Sequence, residues 1–274
     1  FDKLDYENTQ IIYSTHSTQI SEVSNVENIN IVSKKTNNSE VYQPSTGLSS
    51  KSINQIQRYL DAVRTNLLFA KGVILVEGDA EEILIPILIK NVFGVSLDEL
   101  GISLINIRST GFENVSQLFH DSRIRRYCSI LTDLDSAICD TNVLPIDSDK
   151  VKKYKEKIAR SAKSGAERKI KLDELEKDND WVKSFYANYT FEVDFIAAGN
   201  GFEIKRIVKD IYTDPATCIK AKEDISDGNV AVFGRRVLTM ANSAGKGWFA
   251  ILLGGHITYQ TEIPDYIMDA LIFS

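Results

Sequence analysis

Long hydrophobic runs are missing from this sequence. No apolar stretch approaches the roughly twenty residues of a membrane-spanning helix, and no basic-then-apolar leader opens it. Neither a membrane span nor a membrane partner is therefore expected. Cysteine is scarce: Cys128, Cys139 and Cys218 are odd in number and lack metal-type spacing, which excludes a disulfide framework and points to reduced thiols in the cytoplasm. Of the three histidines, His120 and His256 have no partner spacing and receive no role. A basic surplus is also lacking, because 32 Lys and Arg face 38 Asp and Glu for a net charge of −6. That balance does not advertise a nucleic-acid protein, yet local contacts can be patchy and a cation offsets an acidic site. A Gly-x-x-x-x-Gly-Lys-Ser/Thr phosphate loop is absent, so ATP hydrolysis by this chain alone is not expected. The chain opens on Phe1 rather than Met, as a fragment would. Its 274 residues suffice for one large domain or two small ones.

What is present centres on residues 71–86. Val73 to Val76 form a short apolar run that reads as a strand buried on both faces. It stops at Glu77-Gly78. Asp79 with Glu82 three residues on predicts a helix N-terminus with a reciprocal carboxylate, and Glu81 lies in the same first turn. A carboxylate at the carboxyl end of a buried strand marks the place where open α/β sheets hold ligands. Residues 127–136 repeat the design, with a hydrophobic strand ending in Asp133-Leu134-Asp135. Strand periodicity predicts both aspartates on one side. Two acidic strand ends in one sheet call for a cation, and hard carboxylate oxygens favour Mg²⁺ or Mn²⁺.

The pairing of Val-Glu-Gly-x-x-Glu with a later Asp-x-Asp resembles the Toprim domain of topoisomerases, primases and OLD-family (overcoming lysogenization defect) nucleases. OLD-family nucleases are the nearest likeness, and within them the nuclease subunit of the Gabija antiphage defence system. The resemblance implies an α/β fold, a Rossmann-like parallel sheet flanked by helices. It also implies that the chain opens with the C-terminal remnant of an ABC-type ATPase head. Residues 9–17 read as a strand, and its end, Ser-Thr-His-Ser, is similar to the switch-histidine strand of such heads. His16 is then the expected ATP γ-phosphate sensor, in a longer parent only.

Further along, Ile29 to Val32 predict a short strand and the polar residues 34–52 a linker, placing a domain boundary near residue 50. Residues 1–50 would be the ATPase remnant plus linker, and 51–274 the Toprim nuclease domain. Apolar spacing predicts a helix over 53–67, a buried helix over 83–89 perturbed by Pro86, a strand at 102–107 and a helix at 112–121. Residues 150–171 carry ten Lys or Arg against Glu156 and Glu167. They predict a helical insertion over about 147–182, with Gly165 its single weak spot, as one helix or a hairpin. Its basic face is either simply solvated or a phosphate-backbone contact.

Residues 185–195 alternate near their end like a strand, with Glu192 and Asp194 on one side. Similar Thr-x-Glu-x-Asp segments of OLD-type domains supply a second metal, which the resemblance carries over to these two acids. Residues 202–243 read as largely helical. Lys246 then sits between Gly245 and Gly247, where the backbone can approach a phosphate closely. The likeness of Gly-Lys-Gly-x-Phe-Ala to an OLD segment implies a catalytic lysine. Without it, a lysine in a glycine turn starting a helix is the simpler reading.

The expected activity is metal-dependent DNA endonuclease. Two Mg²⁺ or Mn²⁺ ions about 3.5–4 Å apart would clamp attacking water and leaving oxygen. Glu77, Asp133 and Asp135 would hold one, with Glu81 as ligand or base. Glu192 and Asp194 would hold the other, and Lys246 would stabilise charge. The resemblance further implies DNA and a helicase-like subunit as partners, with homo-oligomerisation and ATP regulation in the full-length parent. No tyrosine nucleophile or zinc-binding region points to topoisomerase or primase. Two other classes compete. Asp133-Leu-Asp135-Ser136 also resembles the nucleophile motif of haloacid-dehalogenase-type phosphatases, and a degraded Toprim domain could serve as a non-catalytic assembly module.

Overall fold

The computed structural model describes residues 10–34, 36–60, 64–108 and 111–274. The sheet that organises it follows from four apolar runs, β3 (Gly72–Val76), β4 (Ile102–Asn106), β5 (Cys128–Asp133) and β6 (Val182–Ala187). They lie parallel in the order β4-β3-β5-β6. Every residue of β3 is buried. Val73 and Leu75 face one apolar cluster and Ile74 and Val76 the other, so the sheet is covered on both faces. The chain leaves β3 toward β4 on one side and returns to β5 on the other. The boundary between β3 and β5 is thus the topological switch point, with the acidic ends of both strands flanking it.

Helices fill the two layers. Ahead of the sheet come α1 (Thr18–Val23) and α2 (Ser50–Tyr59). Between its strands run α3 (Asp79–Phe93), α4 (Leu97–Leu100), α5 (Phe112–Ser116) and α6 (Asp149–Glu176). After it come α7 (Phe191–Ala197), α8 (Gly201–Arg206), α9 (Val208–Ile211), α10 (Pro215–Ile225), α11 (Val230–Ala244), α12 (Lys246–Gly254) and α13 (Asp265–Phe273). Among the described residues no helix is long and apolar enough to cross a membrane.

Several local expectations are corrected. Residues 10–17 form no strand, and residues 1–9 lie outside the described residues. Ile11, Ile12 and Tyr13 are exposed, and among the described residues no partner strand covers the apolar positions that suggested one. The expected linker contains a strand, β2 (Ser39–Tyr42), which pairs antiparallel with β1 (Ile31–Lys34) and buries Tyr42. The expected helix 53–67 ends at Tyr59 and gives way to a 3₁₀ turn at Arg64–Leu68. Pro86 stays inside a continuous α3, where it lacks the N–H that would otherwise reach the Glu82 carbonyl.

The insertion is not a hairpin but one 28-residue helix, α6. Gly165 does not break it because it is the contact point: a Cβ there would lie 1.8 Å from the Leu134 carbonyl oxygen. The helix backbone therefore rests directly on the loop between Asp133 and Asp135. Replacing Gly165 by Ala gains about 1 kcal/mol of helix propensity and costs roughly 1–3 kcal/mol of overpacking against rigid backbone. Gly165→Ala is expected to lose about 1 kcal/mol net, read as a lowered urea midpoint with an unchanged slope.

Candidate metal and phosphate site

Each acid reaches the switch point by its own route. Glu77 follows β3 and is exposed, whereas Asp133 closes β5. Asp135 lies past the strand with φ of 52°, so the alternation argument does not place it. Backbone bonds place it instead: the amides of Leu134, Asp135 and Ser136 donate to the carbonyls of Ala187, Tyr189 and Asn188. Glu81 folds over Gly78, where a Cβ would lie 2.2 Å from its Oε2, so only glycine admits that approach.

The reciprocal cap at Asp79 does not form. Gly78 is the cap residue, with no side-chain bond. Asp79 and Glu82 instead accept from Asn106 Nδ2 at 3.1 and 2.8 Å. Asn106 is a buried amide at the end of β4, and it ties these two acids to the sheet.

Glu192 and Asp194 are not on a strand. After β6 the chain turns into α7, and residues two apart on a helix face in nearly opposite directions. Glu192 is 1% exposed and turns toward the site. Its Oε2 accepts from Thr190 Oγ1 at 2.8 Å, and its Oε1 lies 3.3 Å from Lys246 Nζ. That contact is an ion pair without hydrogen-bond geometry, so Oε1 is buried with no hydrogen bond. Asp194 accepts from the amides of Asn188 and Tyr189 at 3.2 and 2.7 Å, fixing the turn after β6. Burial nonetheless lifts its carboxyl above the usual range.

Lys246 begins α12, with Gly245 at φ of 85° just before it. The glycine turn starting a helix is thus what forms, and it aims the ammonium at the acids. Burial works against that charge, but Glu192, Asp133 and Glu81 outweigh it and raise the lysine above its ordinary value. Burial followed by the fields of Glu81, Glu192 and Asp135 pushes Asp133 well above the carboxylate range. Burial is also the largest cause lifting Glu81, to about 6, with Glu192 and Glu77 adding to it.

Two participants carried no sequence signal. Arg168 reaches in from α6, with Nη2 3.2 Å from Asp135 Oδ2 and Nη1 3.9 Å from Glu77 Oε2. Tyr266 on α13 buries a hydroxyl without a hydrogen-bond partner, and burial with the field of Asp133 and Glu81 holds its proton firmly. Only the fold brings Arg168 and Tyr266 to the acids, whereas Thr190, which orients Glu192, belongs to the Thr-x-Glu-x-Asp segment already seen in the sequence. His16 lies elsewhere, exposed, with its ring centroid 6.4 Å from that of Phe69.

Five carboxylates (Glu77, Glu81, Asp133, Asp135, Glu192) thus face two cations, Lys246 and Arg168. Among the described residues no three His, Cys, Asp or Glu side chains stand close enough to hold a metal ion as arranged. The donor set still fits one. Hard oxygens predominate, negative charge exceeds positive, and two acids are driven toward protonation.

The fold is an α/β domain with a parallel four-stranded sheet and paired acids at its switch point. Residues 68–135 match the family profile described as "Overcoming lysogenization defect protein-like, TOPRIM domain". Among solved structures, the C-terminal region of the Burkholderia pseudomallei OLD protein is similar over 75% of this chain and 96% of that one, at 28% identity and a TM-score of 0.52. The C-terminal region of the Xanthomonas campestris pv. campestris OLD protein shares the fold at 24% identity and a TM-score of 0.50, over 76% and 93% of the two chains. No curated protein matches the chain.

Because the folded chain holds the Glu81 proton more tightly than the unfolded one, metal-free stability should be full below about pH 4.5. It should then fall as pH rises through about 6. Glu81→Gln removes the Glu81 share of that slope, leaving the shares of Asp133 and Asp194, and should gain about 1 kcal/mol at pH 7.5, the shift being discounted for the side chain's partial exposure. Urea melts of both forms between pH 4 and 8 in chelator check this.

Proposed function

We propose that this chain is a divalent-metal-dependent nuclease that hydrolyses DNA phosphodiester bonds. The carrying observation is the convergence of carboxylates from the ends of β3 and β5 and from α3 and α7 into one cluster whose negative charge exceeds the positive charge of Lys246 and Arg168. Glu77, Asp133 and Asp135 would hold one Mg²⁺ or Mn²⁺, and Glu81 with Glu192 a second, Asp194 acting through the backbone it fixes. Bound there, the ions would polarise phosphoryl oxygens and acidify a water. The remaining work falls to the chain. Where it does not itself bind an ion, the Glu81 carboxylate in the first turn of α3 would accept the proton of the attacking water. Lys246 supplies a compact positive charge to a phosphoryl oxygen from the start of α12, where the backbone dipole adds to it. Thr190 keeps Glu192 oriented, and the apolar layers on both faces of β3 hold the strand ends rigid.

The same reading extends to a longer parent, an ATP-regulated antiphage nuclease of the Gabija type. It would self-associate through an ATPase head that includes His16 and work with a helicase-like partner. The support for that extension is the motif order and the Ser14-Thr15-His16-Ser17 segment. Against a phosphatase built on Asp133 stands the spread of the acids over four segments, three of which such a nucleophile would not need.

Supercoiled plasmid with Mn²⁺ or Mg²⁺ provides the test. Wild type is expected to nick, and Glu77→Ala to lose roughly a hundredfold or more, since even outer-shell changes at metal sites cost ten- to hundredfold. Equal activity of the two would sink the nuclease reading. Release of phosphate from a small phosphomonoester without nicking would favour the phosphatase.

A further inference from the structure

We propose that Arg168 is an internal counter-ion that competes with a divalent cation for Glu77 and Asp135, so that metal loading requires the guanidinium to leave. The proposal rests on the metal-binding reading above and adds a regulatory element to it.

Four observations carry it. The guanidinium bridges the two halves of the acidic cluster, since it contacts Glu77 after β3 and Asp135 after β5. Nη2 also donates to the Asp133 carbonyl, which places the group over the carboxyl end of β5. A delocalised cation spanning two carboxylates occupies the position from which a smaller dication would draw the same oxygens.

The pose is imposed by docking of the helix. Gly165 lies flush on the Leu134 carbonyl, and Arg168, three residues on, shares its face of α6. Removal of either feature would lift the arginine off the site.

The pose is also incompletely satisfied. Arg168 Nε is buried without a hydrogen-bond partner, a cost that departure relieves. A way out exists, because the Arg168 side chain is 28% exposed and the Glu77 side chain 45%.

Finally, the carboxylates as arranged do not close around a metal. Glu77 and Asp135 are the two that Arg168 holds, so its withdrawal frees the oxygens that a cation needs.

Mn²⁺ binding to the 274-residue chain, followed by the loss of the free-ion electron-paramagnetic-resonance signal, reads the competition without any catalytic turnover. Arg168→Gln should bind Mn²⁺ about five- to twentyfold more tightly than wild type, the range set by one charge-assisted contact. Lys163→Gln removes an equal charge from an exposed position of α6 and should leave the affinity unchanged. Equal tightening in both variants would mean a general field rather than competition and would overturn the proposal. So would unchanged or weaker binding in Arg168→Gln, an outcome that leaves the metal reading standing. Absence of binding in every form would remove both readings together. Should Arg168→Gln fail to fold, Arg168→Lys keeps the charge but cannot bridge two carboxylates. It should show a smaller tightening, and an unchanged affinity there also overturns the proposal.

Discussion

Electrostatic self-repulsion is the constraint on which the rest of this structure depends. Carboxylates following β3, at the start of α3, at the end of β5 and on α7 are gathered at the carboxyl end of a sheet whose interior cannot screen them. Such a cluster persists only with compensation, and the chain supplies part of it through Lys246 and Arg168. The remainder is seen as the upward drift of Asp133 and Glu81. Protonation and cation binding are alternative ways of relieving the same strain, and at neutral pH a hard dication relieves more of it.

The scaffold is arranged to hold that strain. Two apolar layers clamp β3 and fix the backbone position from which its acidic end projects. Asn106 ties down Asp79 and Glu82, two acids near the cluster, and so anchors the first turn of α3 that carries Glu81. On the far side of the switch point, the Asp194 carboxylate caps two amides and fixes the turn into α7. Acids that look alike in the sequence thereby divide into those that face the cluster and those that brace it.

How much of this was legible depended on the range of the interaction. The parallel α/β sheet was readable because buried strands announce themselves in four or five consecutive residues, and β3 and β5 did so. Glu77, Glu81 and Asp133 followed, since each is fixed by its position at a strand end or in the next helical turn. Thr-Phe-Glu-Val-Asp misled because its alternation suits a strand, whereas the Asp194 carboxylate capping Asn188 and Tyr189 starts a helix instead. Gly165 misled for a related reason: a glycine reads as a break in a helix until the backbone it touches, 31 positions earlier at Leu134, is known. Arg168 was one basic residue among ten, and nothing local separates it from its solvated neighbours.

The unbroken length of α6 gives it mechanical leverage. Twenty-eight residues make a rod about 42 Å long. Arg168 lies only about 4.5 Å along the axis from the Gly165 contact, and the Asp149 end about 24 Å away on the other side. A tilt of α6 about that contact would therefore displace the lysine-rich Asp149 end about five times as far as the backbone of Arg168, and the packing of Tyr154 and Ile158 along that arm resists it.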